Sequence, residues 1–377
     1  MISVLLLSIF YMGYSQRQQA ICNFEVYLDL DSDEEIVDHA KQNGTDIVLT
    51  TSKFILLDDA LNILNTYSTP NNGTHTCNLV SGHPLYDMFL LACQSEGRSP
   101  YFVAYKKTSN STYSIFGEYQ AVPSILENFN KFAIIGNTLI IPQKNKLVFF
   151  TTVIQATTWY IRTTSYILDA QFFNTSSLNV TDFSLSSYQQ DQQTYYRILT
   201  LDYENGVFWA DTIFRSNNLI PFNNGFINVK SSFYISYSSR FRQVVPLNVT
   251  QNNTQFIVQT YADGNYQFDY TTTNSYLYLV TTLNRYKDWN PFASVRTQSS
   301  IVVIPYQNYQ KTVVISLFNI GYRSNDQQMN LKQEPTDLLI SASVDSLILY
   351  FTSANQLVYR SDFDTLTSCT LSNYNVE

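Results

Sequence analysis

Aspartates are the side chains in this chain best suited to acid–base or metal-assisted chemistry. Five of them lie in or beside segments with the residue pattern of β-strands: Asp202, Asp211, Asp263, Asp269 and Asp345. If these carboxylates converge at one place, they could serve a carboxylate- or metal-dependent hydrolase or lactonase. Aspartates beside turns more often hydrogen-bond the turn itself, so hydrolysis is kept here as the alternative function.

Catalytic motifs add little to that hypothesis. The three histidines, His39, His75 and His83, all fall in the first quarter of the chain, which leaves a Ser-His-acid triad little choice of partner. The sequence contains no nucleophile elbow, no H-E-x-x-H, no phosphate-binding loop and no G-x-G-x-x-G. These patterns favour binding over catalysis, and no catalytic residue is assigned.

The segment DLDSDEEIVDHAKQNG resembles the first half of a calcium loop. Its alternating acids are Asp29, Asp31, Asp33 and Glu35. Glu34 stands where the loop needs glycine and Ala40 replaces the closing acid, so calcium is the one cofactor that stays open. A short helix fits the segment better, because Ser32 and Glu35 form a capping box and Gly44 can end the helix.

The N-terminus predicts a secretory leader at residues 1–15. In MISVLLLSIFYMGYSQRQQ, an apolar run from Ile2 to Met12 precedes Gly13 and Ser15, the small residues of a cleavage site. The run is about half of the ~20 residues that cross a bilayer, and a membrane anchor is the alternative. We expect a mature chain without a transmembrane segment, secreted or in the lumen of the secretory pathway.

An oxidising compartment predicts disulfide bonds. Four cysteines would remain after cleavage of the leader: Cys22, Cys77, Cys93 and Cys369. Of the three pairings that four cysteines allow, we expect Cys77 with Cys93, across a short loop, and Cys22 with Cys369, joining the chain ends. The alternative is a zinc site, whose spacing matches no common finger, built from His75, Cys77, His83 and Cys93.

Seven Asn-X-Ser/Thr sequons predict N-glycosylation in surface loops of an exported glycoprotein. They stand at Asn43, Asn72, Asn110, Asn174, Asn179, Asn248 and Asn252.

Charge and composition exclude a nucleic-acid partner. The formal net charge is −8, and lysine and arginine form no cluster that could neutralise phosphates. Hydrophobic residues make up 45% of the chain and aromatic residues 15%, which is enough for a large core. Polarity comes mainly from Asn, Gln, Ser, Thr and Tyr.

Short runs of β-branched and aromatic residues, separated by turn residues, predict an all-β fold. Asn205-Gly206 and Asp263-Gly264 suit type I′ hairpin turns, since both central residues of such turns need positive φ. The predicted organisation is an N-terminal strand and a short capped helix at 16–45, followed by a β domain at 46–377. The alternative is two β-sandwich domains divided near Gln190.

Two segments share an order of parts that suggests a repeat: LDYENGVFWADTIFRS and ASVDSLILYFTSANQLVYRSDFD. Their matching tetrads begin with the aromatic pairs Phe208-Trp209 and Tyr350-Phe351, and Phe149-Phe150 begins a third, fainter one. The first two pairs lie 142 residues apart, near three units of about 47 residues, and β-propeller blades have about this length.

The tetrad that ends at Asp211 resembles the YWTD repeat of extracellular β-propellers of the low-density-lipoprotein-receptor type. The resemblance implies a single propeller of about seven four-stranded blades, within a range of six to eight. It also implies that the aromatic pair packs between blades and that the acid ties neighbouring blades together. Asp211 keeps that acid, whereas Ser353 and Thr152 replace it in the other tetrads.

A propeller must close between its first and last blades. We expect the N-terminal strand CNFEVYLDL to lie beside the last blade, with Cys22 and Cys369 fastening the closure. In the hydrolase alternative, the acids would instead lie together on the axis of the ring.

Loops with aromatic residues and arginine are the candidate binding residues, since Tyr, Trp and Arg dominate binding energy at interfaces. The best segment is LNRYKDWNPF, with Arg285, Tyr286, Trp289 and Phe292. Trp289 could equally fill the space between blades. A second segment, YADGNYQFDY, offers Tyr261, Tyr266 and Tyr270. We therefore expect a secreted or luminal propeller that acts as a binding or structural module for a protein or glycan partner.

Overall fold

The structure is a computed structural model. It describes residues 24–27, 34, 36–42, 44–58, 62–70, 76–83, 86–94, 100–109, 112–120, 130–155, 157–232, 235–261, 264–282, 290–291, 295–296, 302–308, 312–319, 322–330, 338–342, 346–351 and 357–362. Before residue 34 and after residue 282, only the strand backbone is described. Outside the described residues lie the predicted leader, the acids of the calcium loop, His75, Cys22, Cys369 and the sequons at Asn43, Asn72 and Asn110.

The described strands pair antiparallel into seven sheets, which are the blades of a β-propeller. Blade 1 contains β2 (Ile36–Gln42), β3 (Thr45–Thr50), β4 (Lys53–Leu57) and β5 (Ile63–Ser68). Blade 2 contains β6 (Thr76–Gly82), β7 (Met88–Gln94), β8 (Tyr101–Ser109) and β9 (Thr112–Gln120). Blade 3 contains β10 (Ala133–Ile135), β11 (Thr138–Gln143), β12 (Lys146–Ile154) and β13 (Trp159–Asp169).

The remaining blades follow in chain order. Blade 4 contains β14 (Val180–Gln190), β15 (Gln193–Asp202), β16 (Gly206–Arg215) and β17 (Asn218–Ile227). Blade 5 contains β18 (Phe241–Val249), β19 (Asn253–Thr260), β20 (Asn265–Thr271) and β21 (Tyr276–Thr282). Blade 6 contains β22 (Asn290–Pro291), β23 (Val295–Arg296), β24 (Val302–Asn308), β25 (Thr312–Asn319) and β26 (Tyr322–Asn330). Blade 7 contains β27 (Leu338–Ala342), β28 (Ser346–Phe351) and β29 (Leu357–Asp362), completed by β1 (Phe24–Tyr27).

The two ends of the chain close the ring. The N-terminal strand β1 pairs antiparallel with β29, and the register places Phe24 opposite Arg360 and Tyr27 opposite Leu357. The first strand of blade 7, β27, contacts both β23 of blade 6 and β2 of blade 1. The predicted pairing of the N-terminal strand with the last blade is therefore confirmed, while the Cys22–Cys369 bond stays a prediction.

The predicted helix near the N-terminus is wrong. Residues Ile36–Gln42 form β2, the first strand of blade 1, and Gly44 lies in the tight turn to β3 with a φ of 75°. Every residue of the partner strand β3 is buried. Burial of both strands between neighbouring blades outweighs the local preference of a capping box, which stabilises a short helix only weakly. The propeller consequently begins before residue 46.

The domain boundary of the two-sandwich alternative and one turn prediction also need correction. Gln190, the proposed domain boundary, pairs with Gln193 in the β14–β15 hairpin, where Asp191 and Gln192 have φ of 50° and 63°. Positive φ at both central residues is typical of a type I′ turn, so this polar stretch is a hairpin inside blade 4. At Asn205-Gly206 a hairpin is present, but Asp202 pairs with Gly206 across a longer turn than type I′ allows.

The cores of this part of the chain lie between consecutive blades. Separate apolar clusters join blades 1 and 2, 2 and 3, 3 and 4, and 4 and 5. The Cys77–Cys93 disulfide links β6 to β7 within the first of these clusters, as predicted. The zinc alternative is wrong, because both of its thiols are in that bond. His83 is fully buried, its Nε2 lies 2.9 Å from the carbonyl oxygen of Gly136, and burial lowers its pKa to about 4.

A bulge recurs near the start of the first strand in four blades. The register shifts at Ile36/Asp38, Cys77/Leu79, Val180/Asp182 and Phe241/Gln243. In blades 1 and 4 the bulge ends on an aspartate that bonds to the next blade. Val80 N–H donates to Asp38 Oδ2 at 2.7 Å, and Val244 N–H donates to Asp182 Oδ2 at 3.0 Å. The bulge therefore aims a carboxylate at the backbone of the neighbouring first strand.

Among the described residues, the one helical element is a short 3-10 turn at Val229–Ser232 between β17 and β18. No helix in this part of the chain has the length and apolar character needed to span a bilayer.

Replacing Asp38 with Asn keeps an oxygen acceptor for Val80 and removes the ionisable group. Desolvation raises the pKa of Asp38 from 3.8 to about 7, against the N–H groups of Val80 and His39. Between pH 3.8 and about pH 7 the native state therefore holds a proton on Asp38 that the unfolded chain has already released. The free energy of unfolding of the wild type falls as the pH rises through this range. In urea unfolding followed by tryptophan fluorescence, we expect Asp38→Asn to exceed wild-type stability at about pH 8 and to match it at about pH 4.

Asp182→Asn is the matched control, because Asp182 occupies the same bulge in blade 4. Its Oδ1 also accepts from Lys131 Nζ at 3.0 Å. Loss of this partly exposed ion pair should lower stability at about pH 8 by up to about 1 kcal/mol. An effect of Asp38→Asn that does not change with pH would contradict the protonation assigned to Asp38.

Candidate interaction surface

The strand directions place the hairpin turns of each blade on two faces. The turns between second and third strands lie on the face where first strands begin, which we call the upper face. In blades 4 and 5 it carries the β15–β16 turn, the β19–β20 turn and the β17–β18 connection.

Aromatic and arginine side chains gather on the upper face of blades 4 and 5. We call this set the tyrosine–arginine patch: Tyr203, Tyr237, Arg240, Arg242 and Tyr261. Tyr237 is 76% exposed and Tyr261 is 61% exposed, which is unusual for residues of this size. Large exposed aromatic groups beside cations are typical of binding surfaces.

Cation–π contacts order the patch. The Arg240 guanidinium carbon lies 5.7 Å from the centre of the Tyr203 ring, and that of Arg242 lies 5.9 Å from the Tyr261 ring. The two tyrosine rings meet edge-on, with centroids 6.2 Å apart. Arg240 also bonds Glu204 Oε1 at 3.0 Å. These contacts hold four side chains in one arrangement before any partner binds.

Backbone hydrogen bonds position the segments that carry the patch. Phe241 N–H donates to Tyr203 O at 3.0 Å, and Tyr261 N–H donates to Arg240 O at 3.0 Å. Beneath them, buried Lys230 donates from Nζ to Tyr237 O at 2.7 Å. Desolvation and then the charge of Arg240 lower the pKa of Lys230. The patch therefore rests on a fixed backbone frame and carries positive charge on a chain of net charge −8.

Of the binding residues that the sequence predicts, some lie outside the described residues, one is in the patch and two are buried. Arg285, Tyr286, Trp289 and Phe292 lie outside the described residues. Tyr261 belongs to the patch, but Tyr266 and Tyr270 are 3% and 4% exposed and pack in the cluster between blades 4 and 5. Alternation along β20 turns both rings towards blade 4. Sequence reasoning missed Tyr203, Tyr237 and the two arginines, although Tyr and Arg beside strand ends in LDYENG and YSSRFR were a usable signal.

Each of the three described aspartates of the hydrolase alternative is held by a different partner. Asp202 accepts from the N–H groups of Asn179, Glu204 and Asn205, so it serves its turn. Asp211 binds an arginine, and Asp269 accepts from Gln255 Nε2 at 3.0 Å. Asp263 and Asp345 lie outside the described residues. Within the described part of the chain, no three His, Cys, Asp or Glu side chains are placed to hold a metal ion.

Arg197 joins blade 4 to blade 5 through a buried ion pair with Asp211. Its Nε and one terminal nitrogen bond both carboxylate oxygens, at 2.8 and 2.9 Å. The other terminal nitrogen donates to Thr254 Oγ1 at 2.6 Å, and further bonds reach the β18–β19 turn. The guanidinium carbon lies 4.8 Å from the Trp209 ring and 5.5 Å from the Tyr188 ring. Burial and the charge of Asp211 raise the pKa of Tyr188 to about 12.

The tetrads of the proposed repeat are not equivalent. Phe208-Trp209 and Phe149-Phe150 lie in third strands, β16 and β12, whereas Tyr350-Phe351 lies in the second strand β28. Their spacing therefore does not measure whole blades. In blade 4, Trp209 packs in the cluster with blade 5, and Asp211 ties the two blades through Arg197.

The chain is similar to solved structures that include a β-propeller domain. The β-propeller domain of Nup133 from Vanderwaltozyma polyspora is 10% identical, with a TM-score of 0.53 over 90% of this chain and 97% of that one. A protein from Lactobacillus plantarum is also 10% identical, with a TM-score of 0.51 over 79% and 86%. No family model and no curated protein matches the sequence. The likeness to the Nup133 domain supports the propeller fold alone.

Replacing Arg197 with Met should cost about 3–5 kcal/mol of unfolding free energy, because it leaves Asp211 buried without its counter-ion. Arg240→Met is the control, since it removes an ion pair in which Glu204 is 54% exposed and should cost less than about 1 kcal/mol. Urea unfolding of both variants gives the comparison. The assigned role of Arg197 is wrong if the two substitutions cost the same.

Proposed function

We propose that this chain is a secreted or luminal β-propeller that acts as an interaction module and binds a protein partner through the tyrosine–arginine patch. The observation that carries this proposal is the pre-arranged set of Tyr203, Arg240, Arg242 and Tyr261 beside the exposed ring of Tyr237 on one face.

The chemistry of the patch specifies the partner. Tyrosine and arginine contribute most per residue to protein interfaces, and side chains already fixed in position lose little entropy on binding. Arg240 binds Glu204 within the patch, so it is the positive charge of the surface as a whole that favours a partner surface presenting carboxylates. An acidic, partly aromatic protein surface is thus the complement.

Export is supported by several separate features. The leader pattern of residues 1–15 predicts it, and the buried Cys77–Cys93 disulfide is typical of an oxidising compartment. The sequons at Asn174, Asn179 and Asn252 are exposed outside strands. Asn248 instead lies half-buried within β18, against the expectation of a loop. No described contact favours the hydrolase alternative.

The test uses the full chain exported from a eukaryotic host, with a photo-crosslinking benzophenone residue in place of Tyr237. We expect light to attach a defined partner protein at this position, identified by mass spectrometry. Arg242→Ala and Tyr261→Ala should each weaken binding of that partner at least about tenfold.

The controls are Ile115→Ala and Tyr166→Ala, two exposed positions on blades 2 and 3. They should leave the partner's affinity unchanged, and a benzophenone at position 166 should not capture it. Equal capture from positions 166 and 237 would contradict the assignment of the surface. A mature N-terminus other than Gln16, or retention of the leader, would separately contradict the predicted cleavage.

A further inference from the structure

A groove separates blades 4 and 5 on the lower face, opposite the tyrosine–arginine patch. It has a volume of about 530 Å³, within the range of small-ligand sites. We call it the inter-blade groove. One wall is the aromatic side of blade 4 and the other is formed by the β18–β19 and β20–β21 turns of blade 5.

The floor of the groove is an indole kept open by a glycine. Trp209 pairs with Gly225 across β16 and β17, and a Cβ at Gly225 would lie 2.6 Å from Trp209 Nε1. A larger residue at position 225 would therefore displace the indole. The Nε1–H of Trp209 is itself buried and has no acceptor among the described residues.

The blade 4 wall presents aromatic rings. Tyr188 stacks on Tyr195 with centroids 5.3 Å apart, and Tyr195 meets the Phe222 ring at 5.8 Å. Phe222 is 55% exposed although it lies within a β-strand. An exposed aromatic ring at the mouth of a polar groove is suited to pack against the C–H face of a ring in a ligand.

The polar groups of the groove are mostly uncharged. Asn223, Gln251 and Asn252 offer amide donors and acceptors. The carboxylate of Asp211 also lines the groove, but Arg197 neutralises both of its oxygens. Aromatic faces together with neutral amides suit a ligand that has many hydroxyl groups and no charge, which is the chemistry of a neutral sugar chain.

The chain itself can supply that sugar. Asn252 lines the groove, is exposed, and begins the sequon Asn252-Asn253-Thr254. The hairpin that carries it is fixed, because Thr250 N–H donates to Asn253 O at 2.8 Å. Arg197 further anchors this turn through the carbonyl of Gln251 at 3.0 Å. Attachment at this point would place the first sugars at the mouth of the groove.

We infer that the inter-blade groove holds the N-linked glycan of Asn252, with its first sugars packed on Phe222 and its hydroxyls bonded to the amides. The inference rests on the export part of the proposed function and is independent of the tyrosine–arginine patch.

The test expresses the full chain behind a strong heterologous leader in a eukaryotic host, so that entry into the secretory pathway does not depend on residues 1–15. Glycopeptide mass spectrometry then measures occupancy at each sequon. We expect Asn252 to be occupied, and its glycan to be removed from the native protein by peptide-N-glycosidase at least about tenfold more slowly than the glycan on the exposed Asn179. After unfolding, the two sites should be cleaved at equal rates.

The variant Phe222→Ala should bring the rate at Asn252 up to that at Asn179. In hydrogen exchange, Asn252→Gln should deprotect the backbone around residues 221–225, while Asn179→Gln should leave it unchanged. An unoccupied Asn252, or native cleavage at equal rates in the wild type, would overturn the inference.

A further arm adds N,N′-diacetylchitobiose to the Asn252→Gln variant. If the free sugar protects residues 221–225 while Asn252 is unoccupied in the wild type, the groove is a site for a separate saccharide and the inference is again overturned. Failure of the natural leader alone would bear on the proposed function, because the heterologous leader replaces it in this test.

Discussion

The ion pair between Arg197 and Asp211 is the interaction on which the junction between blades 4 and 5 depends. A guanidinium with no exposed surface is stable only if its donors are used, and here they bond both oxygens of one carboxylate and the turn of the next blade. The rings of Trp209 and Tyr188 flank the charge. The same contacts set the distance between blades 4 and 5, and with it the shape of the groove between them.

The other blades must also be held to their neighbours, and different residues do this at each junction. Each apolar cluster that the structure describes draws on two consecutive blades, so blades 1 to 5 share their cores with their neighbours. The bulges in β2 and β14 add a carboxylate that accepts from the next first strand. Pairing of β1 with β29 joins the two ends of the chain in blade 7. This pairing closes the ring, which repetition of blades alone would leave open.

Because the interior of each described blade packs against its neighbours, the turns are not needed for that packing and their residues can vary. On the upper face, backbone bonds among three segments bring together aromatic and arginine side chains that are far apart in sequence. On the lower face, a glycine opposite Trp209 leaves a recess where a filled junction would otherwise be. Both surfaces arise where blades 4 and 5 meet.

The sequence by itself determined the all-β fold, because strand periodicity and turn residues are local, and it predicted the Cys77–Cys93 bond from a short loop in an oxidising context. Tertiary structure decided what depends on a distant partner. Residues Ile36–Gln42 follow the capping box of Ser32 and Glu35 yet form a strand, because burial against neighbouring strands outweighs a cap. Tyr261 is exposed while Tyr266 and Tyr270 are core, since only the packed ring shows which face of β20 meets blade 4. Arg197 gave no signal in the sequence, because the groups that hold it lie in another blade and become neighbours only when the ring assembles.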